Sequence, residues 1–261
     1  MATASRSSRA APLAAYVLHR YDWSESSLVL ELFTREQGRI AAVAKGAKRP
    51  FSQLRGVLLP FQRLTVSLGR APGEEAREVH NLRGADWAGG APMLVGAALF
   101  SGFYLNELLL RLLARHDPHA DLFDAYAATL TSLGADRRDE GPAQAALRAF
   151  ELVLLMEIGL LPDLRIETPS RQPVEPGRRY RVLADAGVVE AEDPDAATAA
   201  GESLIALQDA LSAGDLPALQ RVAAGCLADL RPLLRAQLHY HLGSNQLRTR
   251  QVMLDAQSLE R

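Results

Sequence analysis

The 261-residue chain has a single cysteine, Cys226. One thiol can make no internal disulfide and cannot build a Cys₄ or Cys₂His₂ zinc site, so the chain reads as one for a reducing, cytoplasmic compartment with no thiolate-centred metal. Long apolar runs are missing too. The most apolar stretch, Ala91 to Leu105, gives way to Asn106 and Glu107 after about 15 residues, short of the roughly 20 that a spanning helix needs. The N-terminal Met1-Ala2-Thr3-Ala4-Ser5-Arg6-Ser7-Ser8-Arg9 lacks the apolar centre of a secretory signal and reads as part of a flexible basic tail at 1–12. No Gly-x-x-x-x-Gly-Lys, Gly-x-Gly-x-x-Gly or Gly-x-Ser-x-Gly occurs, which argues against a Walker-type ATPase, a dinucleotide fingerprint and a hydrolase elbow. His116 with His119, and His239 with His241, stand close enough to share a metal. No carboxylate or thiolate set accompanies them at a recognised spacing, so they read as surface residues with no cofactor implied.

With 48% hydrophobic and 23% charged residues the composition is that of an ordinary globular protein, long enough for two modest domains. The net charge of −2 hides a division: residues 1–90 hold 13 Lys and Arg against 8 Asp and Glu, and the remainder is acidic. Residues 31–70 are steeper, with Arg35, Arg39, Lys45, Lys48, Arg49, Arg55, Arg63 and Arg70 opposed only by Glu31 and Glu36. A basic segment on an acidic chain points to an anionic partner. Both lysines of the protein fall in Lys45-Gly46-Ala47-Lys48-Arg49.

From Leu13 to Arg83 short apolar runs alternate with turn residues, which predicts strands. Ala14–Arg20 is one. Leu28–Phe33 and Arg39–Ala44, joined through Gly38, predict a hairpin, Gly56–Leu68 a long strand with Pro60 at an edge or bulge, and Glu78–Arg83 a fifth. Beyond Pro92 the period becomes helical over Met93–Ala114, Pro118–Leu133 and Pro142–Gly159. An irregular insert at about 163–199 contains one hairpin near Arg179–Val189, helices resume near Gly201, and Pro232 should divide the last of them. The fold class is therefore α+β: a five-stranded barrel of the OB type at 13–88, then a mostly helical domain at 89–261. Such barrels bind single strands with cations and aromatic platforms. Phe51 and Phe61 stand near the basic segment, either as platforms or as core.

Several segments, in order, resemble the RecO family of bacterial recombination mediators: Trp23-Ser24-Glu25-Ser26-Ser27-Leu28-Val29-Leu30, Phe33–Arg39, Val43–Lys48 and Leu59-Pro60-Phe61, followed by Tyr104–Leu109, Leu122–Tyr126, Leu147–Leu152 and Leu247–Arg250. The resemblance implies a non-enzymatic protein that binds single- and double-stranded DNA and anneals complementary strands. It also implies partnership with RecR in loading RecA, and contact with the acidic C-terminal tail of single-stranded-DNA-binding protein. Candidate phosphate contacts are Arg35, Arg39, Lys45, Lys48 and Arg49. By position, Tyr104 and Ile158 would line the tail groove and Arg148 would hold its carboxylate. The competing reading is an interaction adaptor that acts mainly through the helical domain and does not bind DNA. Many family members carry a four-cysteine zinc module where this chain reads Arg165-Ile166-Glu167-Thr168-Pro169-Ser170-Arg171-Gln172-Pro173. The purified protein should accordingly contain well under one zinc per chain and keep its melting temperature in a chelator. About one tightly held zinc by elemental analysis would reveal a His/carboxylate site instead.

Overall fold

The computed structural model describes residues 11–69, 79–90, 92–135, 140–191, 197–243, 247–249 and 252. The expected tail at 1–12 lies almost wholly outside the described residues. Contacts divide the chain into two compact units, Met1–Ala91 with Ala114–Ala120, and Pro92–Leu113 with Asp121–Arg261.

In the first unit, β1 (Leu13–Asp22), β2 (Leu28–Thr34), β3 (Gly38–Ala44), α1 (Leu54–Val57), β4 (Gln62–Gly69) and β5 (Val79–Gly90) follow in order. The strands close into a barrel ordered β1-β2-β3-β5-β4, with β3 and β5 as the parallel pair. This is an OB fold. The two-residue period decides which side chains fill it: Leu13, Ala15 and Val17 from β1, Leu30 and Leu32 from β2, Ile40, Ala42 and Ala44 from β3, and Leu64, Val66 and Leu68 from β4. Register shifts at Val17/His19 in β1 and at Ser67/Leu68 in β4 add the local twist that closure requires.

The long strand expected over Gly56–Leu68 is cut short. Its first part is α1, and β4 starts only at Gln62. Pro60 has no N–H to donate, and Phe61 sits in the left-handed region at φ 67°, so the ladder cannot run through them. Leu54 and Val57 turn inward with Leu58 to pack on the barrel core. A short apolar run is compatible with either element, and packing decided it.

Residues 114–120 connect two helices in sequence but pack with the barrel strands. Arg115 bridges to Arg39, the His116 N–H donates to the Arg39 carbonyl at 3.0 Å, and the Arg115 guanidinium pairs with the buried Glu31 carboxylate.

The second unit contains α2 (Ala97–Leu112), α3 (Ala120–Gly134), α4 (Glu140–Glu157), α5 (Gly201–Ser212), α6 (Leu216–Gly225) and α7 (Leu227–Leu242). A small sheet ordered β7-β6-β8 joins them, made of β6 (Arg179–Leu183), β7 (Gly187–Glu190) and β8 (Ala199–Ala200). Between Ala145 and Leu155 nearly every side chain of α4 is buried, as in a helix surrounded by others. Tyr126 of α3 ties two neighbours: its hydroxyl donates to Asn106 of α2 at 2.6 Å, and its ring meets Phe150 of α4 edge-on. Pro232 lies inside α7 and does not divide it; the break falls earlier, between α6 and α7. Pro232 comes early in α7 and deprives only the Ala228 carbonyl of a helical partner, and Ala228 is exposed, so water can replace that bond.

The cysteine-free part of the insert is held by hydrogen bonds. Glu167 N–H donates to Gln172 at 2.9 Å, Val174 N–H to Arg165 at 2.7 Å, and Thr168 N–H to Val188 at 2.7 Å, with Val188 N–H returning to Thr168 Oγ1 at 2.9 Å.

No described helix is long and apolar enough to cross a membrane.

Gly38 marks the tightest approach to the 114–120 segment, with φ +66° and a Cβ position only 1.8 Å from the Asp117 carbonyl oxygen. Gly214 has a similar φ of +64° but faces open space. Gly214→Ala should cost only the left-handed conformational penalty, about 1 kcal/mol, and Gly38→Ala at least about twice that, because a backbone must also move. Urea denaturation of both variants measures the difference.

Candidate functional site

The basic pentapeptide at the end of β3 is built around a buried alanine. Gly46 takes a φ of +72°, which turns the chain and drops Ala47, 1% exposed, into the barrel core. With the middle residue anchored inside, Lys45, Lys48 and Arg49 are thrown to the outside. Lys45 and Arg49 are exposed and make no ion pair among the described residues. Lys48 is half-buried: its N–H donates to Ser26 at 3.0 Å, and its ammonium reaches the Ser24 carbonyl and the Asp22 carboxylate, each at 3.2 Å. It therefore clips the β1–β2 turn to the β3 exit. That turn is closed by Trp23 N–H to Ser27 at 3.2 Å and Ser27 N–H to Ser24 Oγ at 3.2 Å.

Two exposed aromatic rings belong to the same two segments as these cations. Phe51 is 99% exposed and Trp23 71%, whereas Phe61 is 5% exposed and belongs to the interior. Of the two phenylalanines singled out from sequence, one is a surface ring and the other is core.

The other two candidate cations are elsewhere. Asp22, Leu28 and Ala44 are paired across one end of the sheet, and Thr34 and Gly38 across the other. Arg35 follows Thr34 and Arg39 follows Gly38, so about 17–20 Å of strand, at roughly 3.4 Å per residue, separates them from the Lys45 cluster. The barrel thus gathers three of the five.

In the helical unit, Tyr104 of α2 and Arg148 of α4 line one groove of about 210 Å³, with Phe100 of α2, Arg235 and Leu238 of α7, and Leu247 and Thr249 beyond it. Ile158 is not among its lining residues; it follows the end of α4. The volume is below the roughly 300–1,000 Å³ of small-molecule pockets and suits a few side chains. Behind the lining lies Glu151, which is fully buried. Tyr104 donates its hydroxyl to Glu151 Oε1 at 2.6 Å, and Arg148 pairs with Oε2 at 2.8 Å. Burial pushes the Glu151 carboxyl above its ordinary value, against the opposing pull of Arg148, the Tyr104 hydroxyl and Arg235. The Tyr104 phenol is raised as well, chiefly by burial and then by the Glu151 charge.

Arg148 is therefore compensated by Glu151, though its Nε is buried without a hydrogen-bond partner among the described residues. Arg235 is exposed and forms no salt bridge there. Sequence reading misses Arg235, since nothing distinguishes it from Arg231 on the same helix. Glu151 left a signal, a carboxylate inside the apolar run Ala145–Leu155.

Glu107, on α2, fixes the far wall. Its carboxylate accepts the Arg248 and Thr249 N–H groups, each at 2.9 Å, and the Thr249 hydroxyl at 2.7 Å. Burial would raise this carboxyl, but these bonds and the nearby Arg111 outweigh it and hold the group below its ordinary value.

The sequence model described as recombination protein O N terminal matches residues 12–88, and that described as recombination protein O C terminal matches residues 94–251. The chain is similar to DNA repair protein RecO of Polaromonas naphthalenivorans (strain CJ2), 53% identical over 247 residues, covering 94% of this chain and 96% of that protein. It is 52% identical over 255 residues to DNA repair protein RecO of Acidovorax ebreus (strain TPSY), with the same coverage of each. Against DNA repair protein RecO of Delftia acidovorans (strain DSM 14801 / SPH-1) it is 50% identical over 249 residues, again covering 94% and 96%.

A carboxyl depressed in the folded state stabilises the fold above its unfolded pKa, and that contribution is lost as pH falls through the folded value. Glu107→Gln should therefore cost about 1–2 kcal/mol at pH 7, and its difference from wild type should vanish in acid. Chemical denaturation at several pH values, with amide exchange at Arg248 and Thr249, tests both limbs.

Proposed function

The chain belongs to the recombination protein O family of DNA repair proteins, and from that membership we propose that it is a recombination mediator acting without covalent chemistry. It binds single- and double-stranded DNA through the barrel, anneals complementary strands, and with RecR helps RecA load onto DNA coated by single-stranded-DNA-binding protein. The observation that carries this reading is the end of the barrel where Lys45 and Arg49 stand exposed, with no ion pair among the described residues, beside Lys48. Two strands repel through their phosphates, and a surface that neutralises both lowers the barrier to pairing. Lys48 doubles as the clip of the neighbouring turn, so Lys45 and Arg49 are the cleaner phosphate ligands. Arg35 and Arg39 would meet only a strand long enough to run along the barrel.

The helical unit's groove is proposed to take the acidic tail of single-stranded-DNA-binding protein. Apolar walls at Phe100 and Leu238 would seat an apolar side chain, and Arg235 with Arg148 would receive a carboxylate. Arg235 is the freer of the two, because the charge of Arg148 is already opposed by Glu151.

Annealing of bare strands and of strands precoated with that protein tests both halves. Lys45→Glu with Arg49→Glu should abolish annealing on either substrate while leaving the thermal melt native, since exposed charges contribute little to stability. Arg235→Ala and Arg148→Ala should each weaken tail binding about ten-fold or more, equivalent to about 1.4 kcal/mol. Both should still anneal bare strands and fail on coated ones. Unchanged annealing by the charge-reversed protein would remove the barrel end from the mechanism, and equal tail affinity in calorimetry would move the partner site elsewhere.

A further inference from the structure

Aromatic residues make up only 6% of the chain. Yet of the large hydrophobic side chains that the barrel unit exposes among its described residues, Tyr21, Trp23, Phe51, Leu59, Val79 and Trp87, four are aromatic. Three of these four, Tyr21, Trp23 and Phe51, belong to the end of the barrel that carries Lys45, Lys48 and Arg49. Single exposed apolar residues are ordinary on a protein surface. What sets these apart is their placement by one set of contacts.

Tyr21 pairs with Val29, which pairs with Val43, so the ring lies on the outside of the sheet in the row just before Ala44 and Lys45. His19 meets the Tyr21 ring edge-on, with centroids 4.4 Å apart, and steadies it. Trp23 rides on the turn that Lys48 clips through Ser24, Ser26 and Asp22. Phe51 stands two residues beyond Arg49, in a turn whose Ser52 N–H donates to the Arg49 carbonyl at 3.0 Å. An interface for another protein's core would be expected to expose aliphatic side chains as well. Here the rings of Tyr21 at the end of β1 and Trp23 on the β1–β2 turn, and that of Phe51 beyond β3, lie on two segments that Lys48 fastens to each other, the second of which also carries Lys45 and Arg49.

Exposed flat rings on segments that also carry cations match one ligand chemistry: an unpaired polynucleotide, which offers a π face and a phosphate with every residue. A duplex hides its ring faces in the stack and presents only phosphates there. We propose that Tyr21, Trp23 and Phe51 form a stacking surface for unpaired nucleobases, which makes this end of the barrel select single-stranded over double-stranded DNA. The inference rests on the DNA-binding reading above and adds to it the source of the preference. During annealing such a surface would hold bases apart from their neighbours until a complementary strand arrives, then release them as the new pairs stack on each other.

The protein provides its own reporter, because Trp23 and Trp87 are its only tryptophans. In the full-length Trp87→Phe protein, emission comes from Trp23 alone, and titration with oligothymidylate should quench it strongly, whereas a duplex of equal length should quench it little. Trp23→Ala and Phe51→Ala should each lower affinity for oligothymidylate about ten-fold, a change within the range of base stacking on one ring. Affinity for the duplex should stay within about two-fold, and the salt slope should be unchanged because no cation is removed. Equal loss of single-strand and duplex binding, or single-strand binding within about two-fold of wild type in both variants, would overturn the stacking surface and leave the DNA-binding reading intact. Failure of the wild-type protein to bind either DNA would overturn both.

Discussion

The parallel pairing of β3 with β5 closes the barrel, and the basic end of the first unit is a consequence of that closure. A closed sheet has no free edge to offer a partner, and its open end must be plugged to keep water from the core. The plug here comes from the β3–β4 connection: Ala47, Leu54, Val57 and Leu58 all pack on the barrel interior. The same connection carries Lys45, Lys48, Arg49 and Phe51 on its other side. Burying one face of a short loop leaves the opposite face no choice but solvent, so the apolar requirement of the core arranges the cations and the ring.

The helical unit solves a different problem, how to keep a groove polar at its base and apolar on its walls. A carboxylate is placed in the most buried helix, where desolvation would be costly without partners. Glu151 has two at hydrogen-bonding range, Tyr104 and Arg148, and in holding them it holds the groove lining. Glu107 performs the converse task at the surface end, drawing Arg248 and Thr249 onto α2. The two carboxyls shift in opposite directions from the same starting chemistry. For Glu151 burial outweighs its partners, and for Glu107 the hydrogen bonds outweigh burial.

The insert shows how a cysteine-free chain can order a turn. Paired backbone bonds between 165–174, together with the reciprocal bonds of Thr168 with Val188 on the hairpin, tie the segment at several points. Gly187 is required there: its φ is +74°, and a Cβ would lie 2.1 Å from the Thr168 hydroxyl oxygen.

Much of the architecture was legible without coordinates. Alternation at Leu30, Leu32, Ile40 and Ala42 determined a hairpin and its inward face, because the strand period allows no other assignment. The helical period likewise determined α2 to α4, and the two lysines of Lys45–Arg49 marked the basic segment. Other features were settled only by contacts distant in sequence. The short helix at Leu54–Val57 exists because a barrel end needed filling, and Pro232 stays within its helix because only the exposed Ala228 loses a partner. Which cations share a surface depended on where the strands end: Arg35 and Lys45 are ten residues apart in the chain but at opposite ends of a hairpin. Which of Phe51 and Phe61 meets solvent, and that Arg235 shares a groove with Arg148, were likewise decided by packing. Composition and period are local properties and can be read along the chain. Burial, desolvation and the company a charge keeps arise only when distant segments meet, and they belong to the tertiary structure.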